Sequence, residues 1–265
     1  MTPARLTLDR LRRRVAVLER AAADTVVLPT GIDAIDRALP WGGLPAGALH
    51  EIEGGVEDAA ALGFVAALAA AAQRQSQGRA VLWCHHHREM HERGAPYAPG
   101  LRAWGLPPER IVFAAGNSPT DVLWAMEEAL RARAFAAVVG DGVAPDFTAA
   151  RRLLLAAAGG AAVALMLHPS AAPAPAVHSP ALTRWRIAAQ PTGDDTFPAA
   201  RLWTVALVHC RGAAPRRWTV RWNNGDGKED TNAPLSGAVA APLADGPMAA
   251  RPAAAPGPRQ MAAGP

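Results

Sequence analysis

Between residues 47 and 167, short near-continuous apolar runs alternate with helical stretches, and this alternation limits the fold more than any other feature. The strand-like runs are 47–53 (GALHEIE), 80–84 (AVLWC), 110–115 (RIVFAA), 135–139 (FAAVV) and 161–167 (AAVALML). Helix is expected over the Ala-rich 57–75 ended by Gly78, over 97–104, from Ser118-Pro119-Thr120 to Arg133, and from Asp146 to Ala158 closed by Gly159-Gly160. Proline suits an early helical position because the N–H it lacks would have no intrahelical partner there. Strands apolar on both faces, separated by helices, predict a mostly parallel sheet covered on both sides, an α/β three-layer core. After Pro180 the pattern changes to strands alone, at 182–189, 201–210 and 216–222. The last two, joined by residues 211–215, read as a C-terminal β-hairpin.

The flanks of this core, which spans 25–223, differ from it in composition. Residues 1–24 place Leu8, Leu11, Val15 and Leu18 at helical spacing among arginines, the pattern of an N-terminal amphipathic helix. Such a short helix cannot stand alone, so its stripe must bury against its own core or against a partner. Residues 224–265 turn to Asn, Gly, Asp, Pro and Ala with few large apolar side chains. That tail buries too little surface to offset ordering and is expected to be disordered. No apolar run of about 18 residues suggests a membrane span. Charge occupies the first residues, where a signal peptide needs an apolar stretch, and Cys84 and Cys210 stand too far apart to make a disulfide framework. The expectation is a soluble cytoplasmic protein.

Lys228 is the only lysine among 265 residues. A phosphate loop needs Gly-Lys-[Ser/Thr] after a strand, because the lysine holds the β- and γ-phosphates. Lys228 follows Gly227 but precedes Glu229 in a polar stretch, so no intact loop exists. The net charge of +4 does not by itself mark a nucleic-acid binder.

Residues 28–39 (LPTGIDAIDRAL) and 41–47 (WGGLPAG) resemble the entry into RecA-type ATPase cores. More broadly, residues 28–222 are similar to the ImuA family of RecA-like accessory proteins of SOS mutagenesis. The supporting pieces are 39–51 (LPWGGLPAGALHE), 120–131 (TDVLWAMEEALR), 135–141 (FAAVVGD) and 183–191 (TRWRIAAQP). This resemblance implies a RecA-like core that supports translesion DNA synthesis. Its implied partners are ImuB, a catalytically inactive Y-family-like polymerase, an error-prone replicative-type polymerase, and RecA itself. It also implies that the N-terminal helix docks another RecA-like subunit. Two other readings stand beside it: a SulA-like cell-division inhibitor, also a degenerate RecA-type fold, and an enzyme with an unconventional nucleotide site.

Aligned on Gly54, the segment Gly54-Gly55-Val56-Glu57-Asp58-Ala59-Ala60-Ala61 puts Ala60 where the phosphate-binding lysine belongs. Ala61 falls where the magnesium-binding hydroxyl belongs. Glu57 and Asp58 favour the start of the next helix but repel a triphosphate. Gly54, Gly55, Ala60 and Ala61 therefore form a vestigial phosphate loop. After Ala137-Val138-Val139-Gly140, Asp141 comes one place late for a Walker B carboxylate. No ATP hydrolysis and no cofactor are expected.

Three further features are weighed. Cys84-His85-His86-His87 with Glu89 and His91 has one i, i+4 histidine pair, but not the His-Glu-x-x-His order of zinc proteases, so an irregular loop without a metal is expected. Trp203, Trp218 and Trp222 are interleaved with arginines over 201–222. The alternation of Trp218, Val220 and Trp222 with Arg217, Thr219 and Arg221 predicts tryptophans in the core and arginines outside. Arg211, Arg216, Arg217 and Arg221 then offer a weak DNA contact. No G-x-S-x-G nucleophile elbow is present, and nothing supports serine or cysteine catalysis.

Overall fold

The protein is described from a computed structural model, which covers residues 26–55, 59–94, 96–169, 179–190, 201–222 and 237–242. The expected N-terminal helix, with Leu8, Leu11, Val15 and Leu18, lies outside these residues, as do Glu57 and Asp58.

The strands are β1 (Val27–Leu28), β2 (Leu44–Pro45), β3 (Leu49–Gly54), β4 (Val81–His86), β5 (Ile111–Gly116), β6 (Ala137–Asp141), β7 (Val163–Pro169), β8 (Thr183–Gln190), β9 (Arg201–Cys210), β10 (Arg216–Trp222) and β11 (Gly237–Pro242). The helices are α1 (Asp33–Asp36), α2 (Ala60–Gln75), α3 (His87–Arg93), α4 (Ala98–Ala103), α5 (Pro119–Ala132) and α6 (Phe147–Ala157). Strands β1 and β2 form a small separate ribbon. The other nine make one sheet in the order β11-β10-β9-β8-β3-β7-β6-β4-β5. From β8 to β5 every pairing is parallel, whereas β9, β10 and β11 extend the sheet by antiparallel pairing. The sequence-based expectation of a mostly parallel α/β three-layer core with a C-terminal hairpin is met.

Alternation along each strand divides the core in two. Trp83, Val139, Leu165, Ile52 and Trp185 face α2. Leu82, Cys84, Val138, Ala164 and Met166 face α5 and α6. Helix α2 is apolar around nearly its whole circumference because it is sandwiched between the sheet and the α1–β1 segment. Its run of alanines lets it sit close to the strands. Helix α5 starts with a reciprocal cap: the Asp121 N–H donates to Ser118 Oγ (3.2 Å) and the Ser118 N–H donates to Asp121 Oδ2 (3.0 Å).

Two segments differ from expectation. The histidine-rich stretch is helical from His87, not irregular, with Arg88 Nε donating to Glu92 Oε1 at 2.8 Å one turn on. Within the tail expected to be disordered, Gly237–Pro242 pairs antiparallel with β10. The expectation weighed side-chain burial, but the backbone ladder of β10 has an open margin and GAVAAP carries no charge to oppose pairing. No described helix is long and apolar enough to cross a membrane.

Candidate functional site

The carboxyl ends of β3, β7 and β6 adjoin the start of α2, where a nucleotide would sit in a phosphate-loop ATPase. Gly54 ends β3 in full burial, and a Cβ there would collide with the Ala61 Cβ. Ala60 and Ala61 are 4% and 3% exposed, and both belong to the core under the sheet. The two side chains at the start of α2, which in a phosphate-loop ATPase would meet a phosphate and a magnesium ion, are here packed methyl groups. Gly55 is exposed.

Asp141 ends β6, with β7 between it and β3. Its Oδ2 accepts the indole N–H of the fully buried Trp83 at 3.1 Å. Residue 140 points the other way, toward α5, where a Cβ would collide with Met126 Sδ. The carboxylate therefore reaches the α2 face only from position 141. Beside it, His85 is 6% exposed, and neither of its ring nitrogens has a hydrogen-bond partner. Burial holds its pKa below the ordinary value, against the pull of Asp141, so the ring is neutral.

A polar cluster occupies the opposite face of β3. Glu51 and Glu53 are both buried and alternate on one side of the strand. In register on β8, Arg184 sits beside Glu51 and Arg186 beside Glu53. Arg184 pairs with Glu51 Oε2 at 2.8 Å, and Arg186 with Glu53 Oε2 at 3.0 Å. Ser179 Oγ also donates to Glu51 Oε1. His168 and His209 flank the cluster; burial lowers the pKa of both, against the pull of Glu51 and Glu53 on His168 and with the help of the Arg184 and Arg211 charges at His209. Each carboxylate is matched to a guanidinium, so the cluster reads as a structural clamp between β3 and β8. On the α2 face of the same pair of strands, His50 Nε2 donates to the Pro45 carbonyl (3.0 Å), and its Nδ1 accepts from Thr183 Oγ1 (2.7 Å). Thr183 Oγ1 in turn accepts the Trp185 indole N–H at 2.8 Å. This chain needs a neutral imidazole, and full burial pushes His50 down to about 4.

No protein-family model matches the chain. Among curated proteins it is similar to Protein ImuA of Caulobacter vibrioides, in strains NA1000 and CB 15 alike. The identity is 34% over 211 residues, covering 74% of this chain and 84% of the relative. The chain belongs to the ImuA family.

Membership in the ImuA family agrees with the resemblance drawn from the sequence, and it leaves the cell-division-inhibitor reading without an observation in its favour. In this ImuA-family chain, Arg211, Arg216, Arg217 and Arg221 are all exposed. Trp203, Trp218 and Val220 are buried toward α2, so Arg217 and Arg221 share the face that no described helix covers. Across the ladder, Arg217 lies beside Ala206, which lies beside Arg186. His87 and His91 come together on α3 with Nε2 atoms 3.1 Å apart, both exposed. Among the described residues, no group of three or more His, Cys, Asp or Glu is placed to hold a metal. Sequence reasoning missed the Glu51/Glu53–Arg184/Arg186 clamp. Its signal was readable: acids at alternate positions in HEIE, and arginines at alternate positions in TRWRI.

Proposed function

We propose that the chain is a non-catalytic accessory protein of SOS-induced translesion DNA synthesis, acting through protein contacts and not through nucleotide chemistry. The observation that carries this reading is the burial of Ala60 and Ala61 at the start of α2. A triphosphate there would meet neither a cation nor a hydroxyl, and catalysis of phosphoryl transfer depends on such groups. Membership in the ImuA family supports the same biological setting. The partners proposed are an inactive Y-family-like polymerase of the ImuB type, an error-prone replicative-type polymerase, and RecA. The N-terminal stripe of Leu8, Leu11, Val15 and Leu18, rimmed by arginine, is the proposed docking element. The exposed arginines of β10 and its preceding turn add a weak, salt-sensitive contact to DNA. The cytoplasm is the compartment proposed.

Two measurements test this. Purified protein should hydrolyse ATP no faster than a buffer blank, and hydrolysis abolished by Glu57→Gln with Asp58→Asn would overturn the reading. Co-purification from DNA-damaged cells should recover the polymerase factors, and Leu11→Asp with Val15→Asp should lose them while the protein stays folded. Recovery of a tubulin-like division protein instead would restore the inhibitor reading.

A further inference from the structure

Helices α5 and α6 lie side by side on the sheet, joined across their outer surface by Glu127. Its side chain is 4% exposed and is bound by Arg131 from its own helix and by Arg152 from α6. Between the helices lies a groove of about 390 Å³, lined by this Glu127–Arg131–Arg152 cluster together with Arg133, Leu155 and Ala158. The outer surface around it carries apolar side chains that the fold does not use. Trp124, one turn before Glu127, is 61% exposed, and Leu155 is 65% exposed. Phe147, Arg151 and Leu155 recur every fourth residue and so share one face of α6. Large exposed apolar groups interleaved with arginine are the composition of protein-binding centres, where Trp and Arg dominate the energetics.

The charges select the partner. Arg131 and Arg152 are engaged by Glu127, and Arg131 also by Glu128. Arg133 in the groove and Arg151 on the outer face of α6 have no carboxylate partner among the described residues, which leaves the surface around the groove positive. Arg133 is also held at φ +55°, the left-handed position that closes α5 and that glycine fills without strain. An arginine there costs about 1 kcal/mol of backbone strain and aims a cation into the groove mouth.

We propose that the α5–α6 groove is a docking site for an acidic amphipathic segment of a partner protein. Its apolar face would cover Trp124 and Leu155, and its carboxylates would pair with Arg133 and Arg151. This proposal uses residues other than the N-terminal stripe and does not depend on which polymerase factor is the partner.

The test is fluorescence anisotropy of the full chain with a labelled helical peptide that has leucines on one face and glutamates on the other. A control peptide carries lysine in place of glutamate. The acidic peptide should bind, more weakly as salt rises, and the lysine peptide should not. Leu155→Glu, at an exposed position, should weaken binding by about tenfold or more without lowering the melting temperature. Arg133→Gly should weaken binding by about threefold while holding or raising the melting temperature, since it relieves the left-handed strain. A purely structural role for Arg133 would move stability and leave binding unchanged. Equal binding of the two peptides, or undiminished binding by Leu155→Glu, would overturn the proposal. So would a labelled single-stranded oligonucleotide lost on the same substitutions, which would make the groove a phosphate site. Tighter peptide binding after Leu11→Asp with Val15→Asp would also overturn it, since the chain's own N-terminal segment would then be the occupant.

Discussion

The two halves of the nine-stranded sheet are built to different rules. From β3 to β4 the strands are parallel and covered by α2 on one face and by α5 and α6 on the other, so their sequences are largely apolar, with the buried His50, Glu51 and Glu53 of β3 as the main exceptions. From β8 to β10 the α2 face is packed with Trp185, Trp203 and Trp218, while the other carries Arg184, Arg186, Arg217 and Arg221. In the parallel half even the start of α2 beyond β3 is packing, with Ala60 and Ala61 buried in the core. The antiparallel half instead keeps Arg217 and Arg221 exposed on the face that no described helix covers. The difference teaches that where helices cover both faces of the sheet its side chains pack, and where one face is left uncovered that face holds charge.

The seam between the halves is where this comparison breaks most readily. Trp185 is fully buried, with its ring centroid 6.0 Å from Phe64 of α2 and 6.4 Å from Trp218 of β10. Trp185→Ala should cost about 3–5 kcal/mol, read by denaturant unfolding, because it empties the contact between halves. If the loss is under about 1 kcal/mol, the halves are not one cooperative unit.

Acid acts on the same seam more gently. His50 is held neutral, with a pKa of about 4 against an ordinary 6.5. Between those values the unfolded chain binds a proton that the folded chain refuses, so stability falls as pH drops through that window and levels off below it. The loss should reach up to about 3 kcal/mol. His50→Gln should flatten the slope, and an unchanged slope would assign it to His85, His168 and His209, whose shifts have the same sign.

Placing a cation and a hydroxyl at the start of α2 sharpens the contrast. Ala60→Lys with Ala61→Thr places a long cation and a hydroxyl at buried positions, and should destabilise by about 2 kcal/mol without yielding ATP hydrolysis. Measurable turnover in that variant would show the turn to be only two residues from function. The smallest effect belongs to the uncovered face. Arg217→Ser with Arg221→Ser should change stability by less than about 0.5 kcal/mol while weakening any DNA association seen by gel shift at low salt.

Much of the core was legible because alternation is a local signal. The five strand-like runs of 47–167 each became a strand within a few residues, and Ser118-Pro119 marked its helix correctly. That residues 60 and 61 are alanines was readable too, but that both are buried in the core is seen only in the fold. What escaped depended on pairing between distant segments. The acids of β3 meet the arginines of β8 only because the sheet order sets them in register, some 133 residues apart. The α5–α6 groove was hidden for a related reason. Leu153, Leu154 and Leu155 look alike in sequence, and only the packing shows that the first is buried and the last stands in solvent. Strand β11 was invisible because its partner edge, not its own composition, supplies the reason to pair.

Each half of the sheet also contains one cysteine. Cys84 lies on β4 under α5, and Cys210 ends β9 under the other face. Both are free and buried, and burial pushes each thiol up to about 12. Reagent cannot reach a thiolate in the closed molecule, so alkylation proceeds only through excursions that expose the sulfur. The chain thus carries two clocks, one for each half, that need no added label. Equal labelling rates would mean that both halves open in a single event. A faster Cys210 would mean that the antiparallel margin breathes while the parallel centre stays shut.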